Sequence, residues 1–255
     1  MVHDPPFVGV GVALATLFDD DGELDADGTA LHAVRLVALG VQGVVVAGST
    51  GEAAALSPEE RVALLSAVRD AVPDPVPVLA GTGGPSARQA VALTVSAREH
   101  GADGVLVLSP PGVSDPRPYY ELVARAAGDL PLLAYHYPKA SAPGIAVERL
   151  PDLPVTGLKD STGEPDRLLE ELEWGRPLYT GSSAILALAG PMGCAGAILA
   201  LANLEPEECI AAFDGDVKAQ RALAGAHRMS RTDFPRGLKD AMAARFGTSP
   251  VTRMG

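Results

Sequence analysis

The chain has 255 residues, 47% of them hydrophobic and 20% charged, which is enough to bury one large core and too apolar for a disordered segment. A formal charge of −12 opposes contact with phosphate backbones and argues against a nucleic-acid partner. No apolar run approaches the ~18 residues of a membrane span. The start, Met1 to Pro6, has no basic region followed by an apolar core, so no secretion signal is expected. Cys194 and Cys209 alone give neither a disulfide framework nor a zinc pattern, and His3, His32, His100, His136 and His227 lack metal-ligand spacing. A cytoplasmic protein without metal or cofactor, off the membrane, is the expectation.

Taken in order, Val8–Leu17 reads as a first strand, closed by Asp19-Asp20-Asp21-Gly22. Asp25 caps a helix that Gly40 ends. Gly43–Ala47 is a second strand, apolar throughout as a strand buried on both faces should be. It opens into Gly48-Ser49-Thr50-Gly51-Glu52, and a helix follows with Ser57 as cap, Pro58 first and Glu60 completing a capping box. Val76–Ala80 is a third strand, followed by Gly81-Thr82-Gly83-Gly84 and a helix over 85–100. Val105–Leu108 is the fourth, with Ser109-Pro110-Pro111-Gly112 as its loop and a helix over 119–127. Pro131–Tyr135 is the fifth, running into Tyr135-His136-Tyr137-Pro138. The sixth starts at Val155 and ends on Lys159, with a helix over 165–174. Leu178–Thr180 is the seventh, before Gly181-Ser182-Ser183 and a helix to about Leu188, and Ala197–Ala200 is the eighth.

Eight strand–helix units at roughly 20–30-residue intervals argue for an α/β fold, a (β/α)8 TIM barrel over residues 1–205. The rival, a doubly wound open sheet, would carry Gly-x-Gly-x-x-Gly after its first strand, and that motif is absent. Only helical segments follow, around 206–213, 217–229 and 237–246, and they form a short C-terminal extension over 206–255.

In such a barrel the active site lies at the carboxyl ends of the strands. Those ends collect Ser49, Thr50, Tyr135, Lys159, Gly181 and Ser182. A lysine ending an apolar strand can be held rigid and desolvated, which favours the neutral, nucleophilic amine. Tyr135 and Lys159 both point inward if the registers of their strands agree. Tyr135 would then move protons while Lys159 attacks a ketone. The turn at Gly48–Glu52 offers N–H groups and two hydroxyls to a small carboxylate. His136, one residue out of phase with Tyr135, reads as a packing histidine and Glu52 as helix-terminal support. No basic residue adjoins Gly81-Thr82-Gly83-Gly84, so a tight turn is expected there rather than a phosphate cradle.

Together, Gly48-Ser49-Thr50-Gly51-Glu52, Tyr135-His136-Tyr137-Pro138 and Gly157-Leu158-Lys159-Asp160 resemble the three signatures of the dihydrodipicolinate synthase/N-acetylneuraminate lyase family, in order and in spacing. The resemblance implies a class I lyase in which Lys159 forms a Schiff base with pyruvate or another 2-oxo acid and Tyr135 shuttles protons. It also implies that Gly48, Ser49 and Thr50 hold the carboxylate, with Gly181 and Ser182 near the substrate, and that the chain forms a homo-oligomer, a tetramer or dimer. The sequence departs from the family at several points. Ala140 stands where synthases carry an arginine, with Lys139 one residue off. Pro111-Gly112 replace an aromatic pair, His136 replaces the usual asparagine, and the extension is short. The expected reaction is aldol addition to, or cleavage from, a pyruvate unit, with a sugar-derived aldehyde as the favoured partner. The alternatives are 4-hydroxy-tetrahydrodipicolinate synthesis, or a barrel that binds 2-oxo acids with little turnover.

Overall fold

A computed structural model describes residues 4–254, so the N-terminal reading through His3 lies outside the described residues. The strands are β1 (Gly9–Ala13), β2 (Gly43–Val46), β3 (Val78–Gly81), β4 (Gly104–Leu108), β5 (Leu132–His136), β6 (Gly157–Asp160), β7 (Leu178–Thr180) and β8 (Gly196–Leu199). All pair in parallel with their sequence neighbours, and β1 pairs with β8 to close the barrel. Parallel strands need long crossovers, and helices supply most of them. In chain order these are α1 (Ala26–Ala38), α2 (Pro58–Ala71), α3 (Ala87–Glu99), α4 (Arg117–Ala127), α5 (Pro165–Leu172) and the single turn α6 (Leu186–Ala189). After β8 come α7 (Pro206–Phe213), α8 (Val217–Arg231) and α9 (Arg236–Phe246).

Local chemistry sets the helix starts. Asp25 accepts the Gly28 N–H at 2.8 Å, and Ser57 and Glu60 bond reciprocally as the capping box requires. Side chains alternate along each strand, which sorts the apolar residues into two cores. One fills the barrel with Val45, Leu79, Leu106, Leu133, Tyr179 and Ile198; the other packs the outer faces of the strands against the helices. Phe7 belongs to the inner set, and Tyr179 donates to its carbonyl at 2.5 Å. Gly11 and Gly43 leave room for its ring, because a Cβ at either position would sit within 2.6 Å of a ring carbon.

Two expectations are adjusted. The first strand stops at Ala13 rather than Leu17, because the Ala15 N–H turns to the Asn203 side chain at 2.9 Å. Leu14 still donates its N–H to the Val45 carbonyl at 2.9 Å, and Leu14 to Leu17 remain buried. After Glu52 the chain does not enter α2 directly but makes a 3-10 turn over Ala53–Ala55.

Glu52 also does something other than support a helix end. It is fully buried, with no cap hydrogen bond of its own. Its Oε1 accepts the Lys239 ammonium at 2.6 Å, and its Oε2 accepts the backbone N–H groups of Arg253 and Met254, each at 2.8 Å. Lys239 is fully buried as well and donates to the Val251 carbonyl at 2.7 Å. The Arg253 guanidinium reaches Glu60 at 2.7 Å and the Gly22 carbonyl at 2.6 Å. The C-terminal segment is thereby strapped beneath the turn that follows β2. Breaking a buried pair by removing one partner typically costs about 3–5 kcal/mol. Glu52→Gln should therefore lose about that much in urea unfolding, and Glu52→Gln/Lys239→Met should recover part of it. A loss no larger than that of a surface substitution would show that the strap carries no load.

Candidate active site

Register decides which side chains meet. In the β5–β6 ladder Tyr135 is paired with Lys159 and His136 with Asp160. Paired residues of neighbouring parallel strands share a face, so Tyr135 and Lys159 lie inside the barrel, and His136 and Asp160 lie outside. The Lys159 Nζ stands 4.3 Å from the centroid of the Tyr135 ring. Lys159 is only 5% exposed, and this desolvation alone lowers its ammonium from the ordinary 10.5 to about 7. At neutral pH a large fraction of the amine is therefore free to act as a nucleophile. Gly181 makes that placement possible, since a Cβ there would lie 3.0 Å from the Lys159 Cε and closer still to Ser161.

Tyr135 is buried too, and the loss of hydration pushes its hydroxyl up to about 12, partly offset by the Ser161 hydroxyl, which donates to it at 3.3 Å. It keeps its proton at neutral pH and is a donor in waiting. Tyr137 stacks on it, with centroids 5.9 Å apart and planes 12° from parallel. Outside the barrel, Asp160 accepts the Thr162 N–H and hydroxyl at 2.8 and 2.6 Å and faces Arg167 at 3.9 Å. Arg167 in turn contacts Glu171 at 2.7 Å, and burial followed by the Asp160 charge pushes that carboxyl up to about 8. His136 accepts the Ile145 N–H at 2.8 Å and is held down at about 4, first by burial and then by Arg167. It packs and takes no part in the cavity.

A cavity of about 220 Å³ opens at the carboxyl ends of the strands and brings together Ser49, Thr50, Tyr135, Lys159, Gly181 and Ser182. Gly48 is the exception among the residues read from the sequence: it does not line the cavity, and its carbonyl accepts the Ala53 N–H at 3.2 Å. The turn that carries Ser49 and Thr50 is bounded by two non-glycine residues at positive φ, Ala47 and Glu52, both at 51°. That conformation is uncommon outside glycine and persists where the surroundings over-determine it. Here the Thr16 hydroxyl bonds the Gly51 carbonyl at 2.8 Å, and the C-terminal strap holds the next residue, Glu52.

Further lining residues come from places the sequence reading passed over: Ser161, Ser183, and the group His227, Ser230, Arg231 and Phe234 on and just after α8. Their spacing would have placed His227, Ser230 and Arg231 on one helix face. The direction of that face is set by tertiary bonds. Ser183 and His227 Nδ1 are 2.8 Å apart, and the Gln220 side chain bonds the Ser183 carbonyl and the Ala187 N–H at 2.9 and 3.0 Å. Gln220 and His227 thus hold α8 against the loop after β7.

The departures noted in the sequence also find their places. Lys139 and Ala140 are exposed and absent from the cavity wall. The Tyr119 hydroxyl donates to the Gly84 carbonyl at 3.1 Å, and Tyr120 donates to Val107 at 2.9 Å, so both tyrosines bind the wall behind β4. The Gly81–Gly84 segment is not the tight turn expected: Gly81 ends β3, the Thr82 N–H continues the ladder to the Leu106 carbonyl at 3.0 Å, and a Cβ on Gly83 would lie 2.6 Å from the Leu108 nitrogen. Among the described residues no three His, Cys, Asp or Glu side chains cluster as metal ligands, and no helix is long and apolar enough to cross a membrane.

Comparison with known proteins agrees with this arrangement. Residues 6–242 match the model of the dihydrodipicolinate synthetase family. A 4-hydroxy-tetrahydrodipicolinate synthase of Natronomonas pharaonis is 37% identical over 239 residues, covering 88% of this chain and 80% of that one. The enzyme of the same name from Pseudomonas aeruginosa is 35% identical, covering 84% and 78%. Among solved structures, YagE of Escherichia coli K12, a member of the same family crystallised with pyruvate, superposes with a TM-score of 0.89 at 30% identity, covering 96% of this chain and 91% of that one. A closed (β/α)8 barrel with C-terminal helices, a buried lysine at the end of β6 and a family match over nearly the whole length lead to one assignment: this chain belongs to the dihydrodipicolinate synthetase family and is a lyase of the Schiff-base aldolase type.

Proposed function

We propose that the protein joins pyruvate to a small aldehyde, or reverses that reaction, through an imine on Lys159. The observation that carries this reading is a lysine buried at a strand end, with its ammonium lowered to about 7 and a protonated tyrosine beside it. The neutral Nζ attacks the ketone carbon of pyruvate. Tyr135 gives its proton to the departing oxygen, and water leaves as the iminium forms. Ser49 and Thr50 hold the carboxylate. Loss of a methyl proton then gives an enamine, whose carbon adds to the aldehyde, and hydrolysis frees the lysine. Residues 1–205 make the barrel that carries these groups, and residues 206–255 form an extension that completes the cavity wall.

Two acceptors compete. The sequence favours a sugar-derived aldehyde because Ala140 supplies no cation. The names of the relatives from Natronomonas and Pseudomonas support the alternative, 4-hydroxy-tetrahydrodipicolinate synthesis. Steady-state kinetics with pyruvate and each aldehyde separates them, and no turnover with any aldehyde would leave only 2-oxo-acid binding.

Borohydride added with pyruvate should fix one adduct on Lys159, located by peptide mass spectrometry, and Lys159→Ala should abolish it. An adduct on another lysine would sink the mechanism. The rate of trapping should follow the free amine, rising about tenfold per pH unit below pH 7 and levelling above it. A profile still climbing at pH 9 would mean the amine is not desolvated. Tyr135→Phe should slow imine formation by about 10²–10⁴-fold, the usual contribution of a positioned acid–base group, while the unfolding midpoint changes little. The imine is itself the electron sink, so EDTA should leave turnover intact; metal-dependent recovery of lost activity would place the enzyme in a different class.

A further inference from the structure

The cavity carries groups that the imine chemistry does not use. Its wall holds hydroxyl, aromatic and apolar groups, the amine of Lys159, the imidazole of His227 and the guanidinium of Arg231, and not one carboxylate. In a chain with 32 acidic against 20 basic residues, an acid-free wall is a local reversal of the overall charge. Arg231 makes no ion pair among the described residues, and the acid next to it in sequence, Asp233, faces Arg236 at 3.6 Å instead. Its helix is pinned over the mouth by the Ser183–His227 and Gln220–Ser183 contacts, so the guanidinium is presented by a fixed element. An arginine fork suits carboxylate or phosphate and gains little from a neutral aldehyde.

We infer that Arg231 is the specificity residue of the second half-reaction, receiving an anionic group, carboxylate or phosphate, at the far end of the acceptor aldehyde. This inference rests on the imine mechanism proposed above and adds to it the class of acceptor. It locates a basic group for the acceptor on α8, where the sequence had looked only beside Tyr135 and found Ala140. Pyruvate's carboxylate and the acceptor's anion would then lie at opposite poles, one at Ser49 and Thr50 and the other at Arg231, with the bond-forming carbons between them over Lys159.

The test compares kcat/KM, with pyruvate saturating, for succinic semialdehyde and aspartate semialdehyde (carboxylate), glyceraldehyde 3-phosphate (phosphate) and glyceraldehyde (neutral). The unaltered protein should prefer at least one anionic acceptor over glyceraldehyde, and which one identifies the group. Arg231→Gln should reduce that preference about 10–100-fold, chiefly through KM for the aldehyde, and Arg231→Lys should restore part of it. Borohydride trapping of pyruvate on Lys159 is followed in the same variants. A preference that survives Arg231→Gln, or a variant that loses neutral and anionic acceptors alike, overturns the inference while leaving the imine mechanism standing. Trapping that fails in Arg231→Gln would place the residue in the first half-reaction and overturns it equally. Absence of trapping in the unaltered protein would remove the imine mechanism and the inference with it.

Discussion

Strand parity is the constraint on which the chemistry rests. Lys159 and Asp160 are neighbours in the chain, and in solution an adjacent carboxylate would stabilise the ammonium and hold the amine protonated. One residue of β-pleat sends them to opposite sides of the barrel wall. Asp160 is then occupied outside by Thr162 and Arg167, while inside the barrel desolvation is the only cause acting on Lys159. The same parity pairs Tyr135 with Lys159 and removes His136. A slip of one residue in β6 would exchange the amine for a carboxylate in the cavity, so the register of a four-residue strand sets the nature of the nucleophile.

The site is drawn from three regions that differ in how they are held. β5 and β6 supply Tyr135 and Lys159 from the rigid ladder. The turn after β2 supplies Ser49 and Thr50 from a backbone kept in a sparsely populated conformation, and a conformation of that kind persists only where its surroundings hold it. Thr16 braces it from β1's extension and the Glu52 pair from the C-terminal segment. The third region, α8, depends on side chains of the loop after β7. Phe18 helps to bind the strap, since both the Lys239 ammonium and the Arg253 guanidinium lie 4.4 Å from the centroid of its ring. One aromatic ring thus contacts two cations close to a buried carboxylate, an arrangement stronger away from water than at the surface.

What could be read from the residues alone was whatever short-range physics determines. Ser57, Pro58 and Glu60 announce the start of α2 because a capping box is complete within four positions. The barrel follows from eight apolar runs with helical spacers, and Tyr135 and Lys159 follow from the ends of two of those runs. Boundaries erred where a side chain far along the chain replaces a ladder partner, as Asn203 does for Ala15. Glu52 departs from its expected role for the same reason: five positions before a cap serine it resembles helix-end support, and its true partners lie 187 and 201 positions away. His227 and Arg231 share a helix face by spacing, but that the face looks into the cavity is decided by Gln220 and Ser183, which no local pattern connects.

That long separation bears on how the protein comes into being. At about 5–20 residues per second, the ribosome needs on the order of 10–40 s to add the residues between Glu52 and Arg253. Through that interval the remaining strands of the barrel can be synthesised, yet the Glu52 carboxylate, destined for burial, lacks its full set of one ammonium and two backbone donors. An unpaired buried charge is costly, so the turn bearing Ser49 and Thr50 is favoured to stay hydrated and unset until the strap arrives. The substrate-carboxylate turn, encoded in the first fifth of the chain, is thus among the last parts of the nascent protein to become rigid.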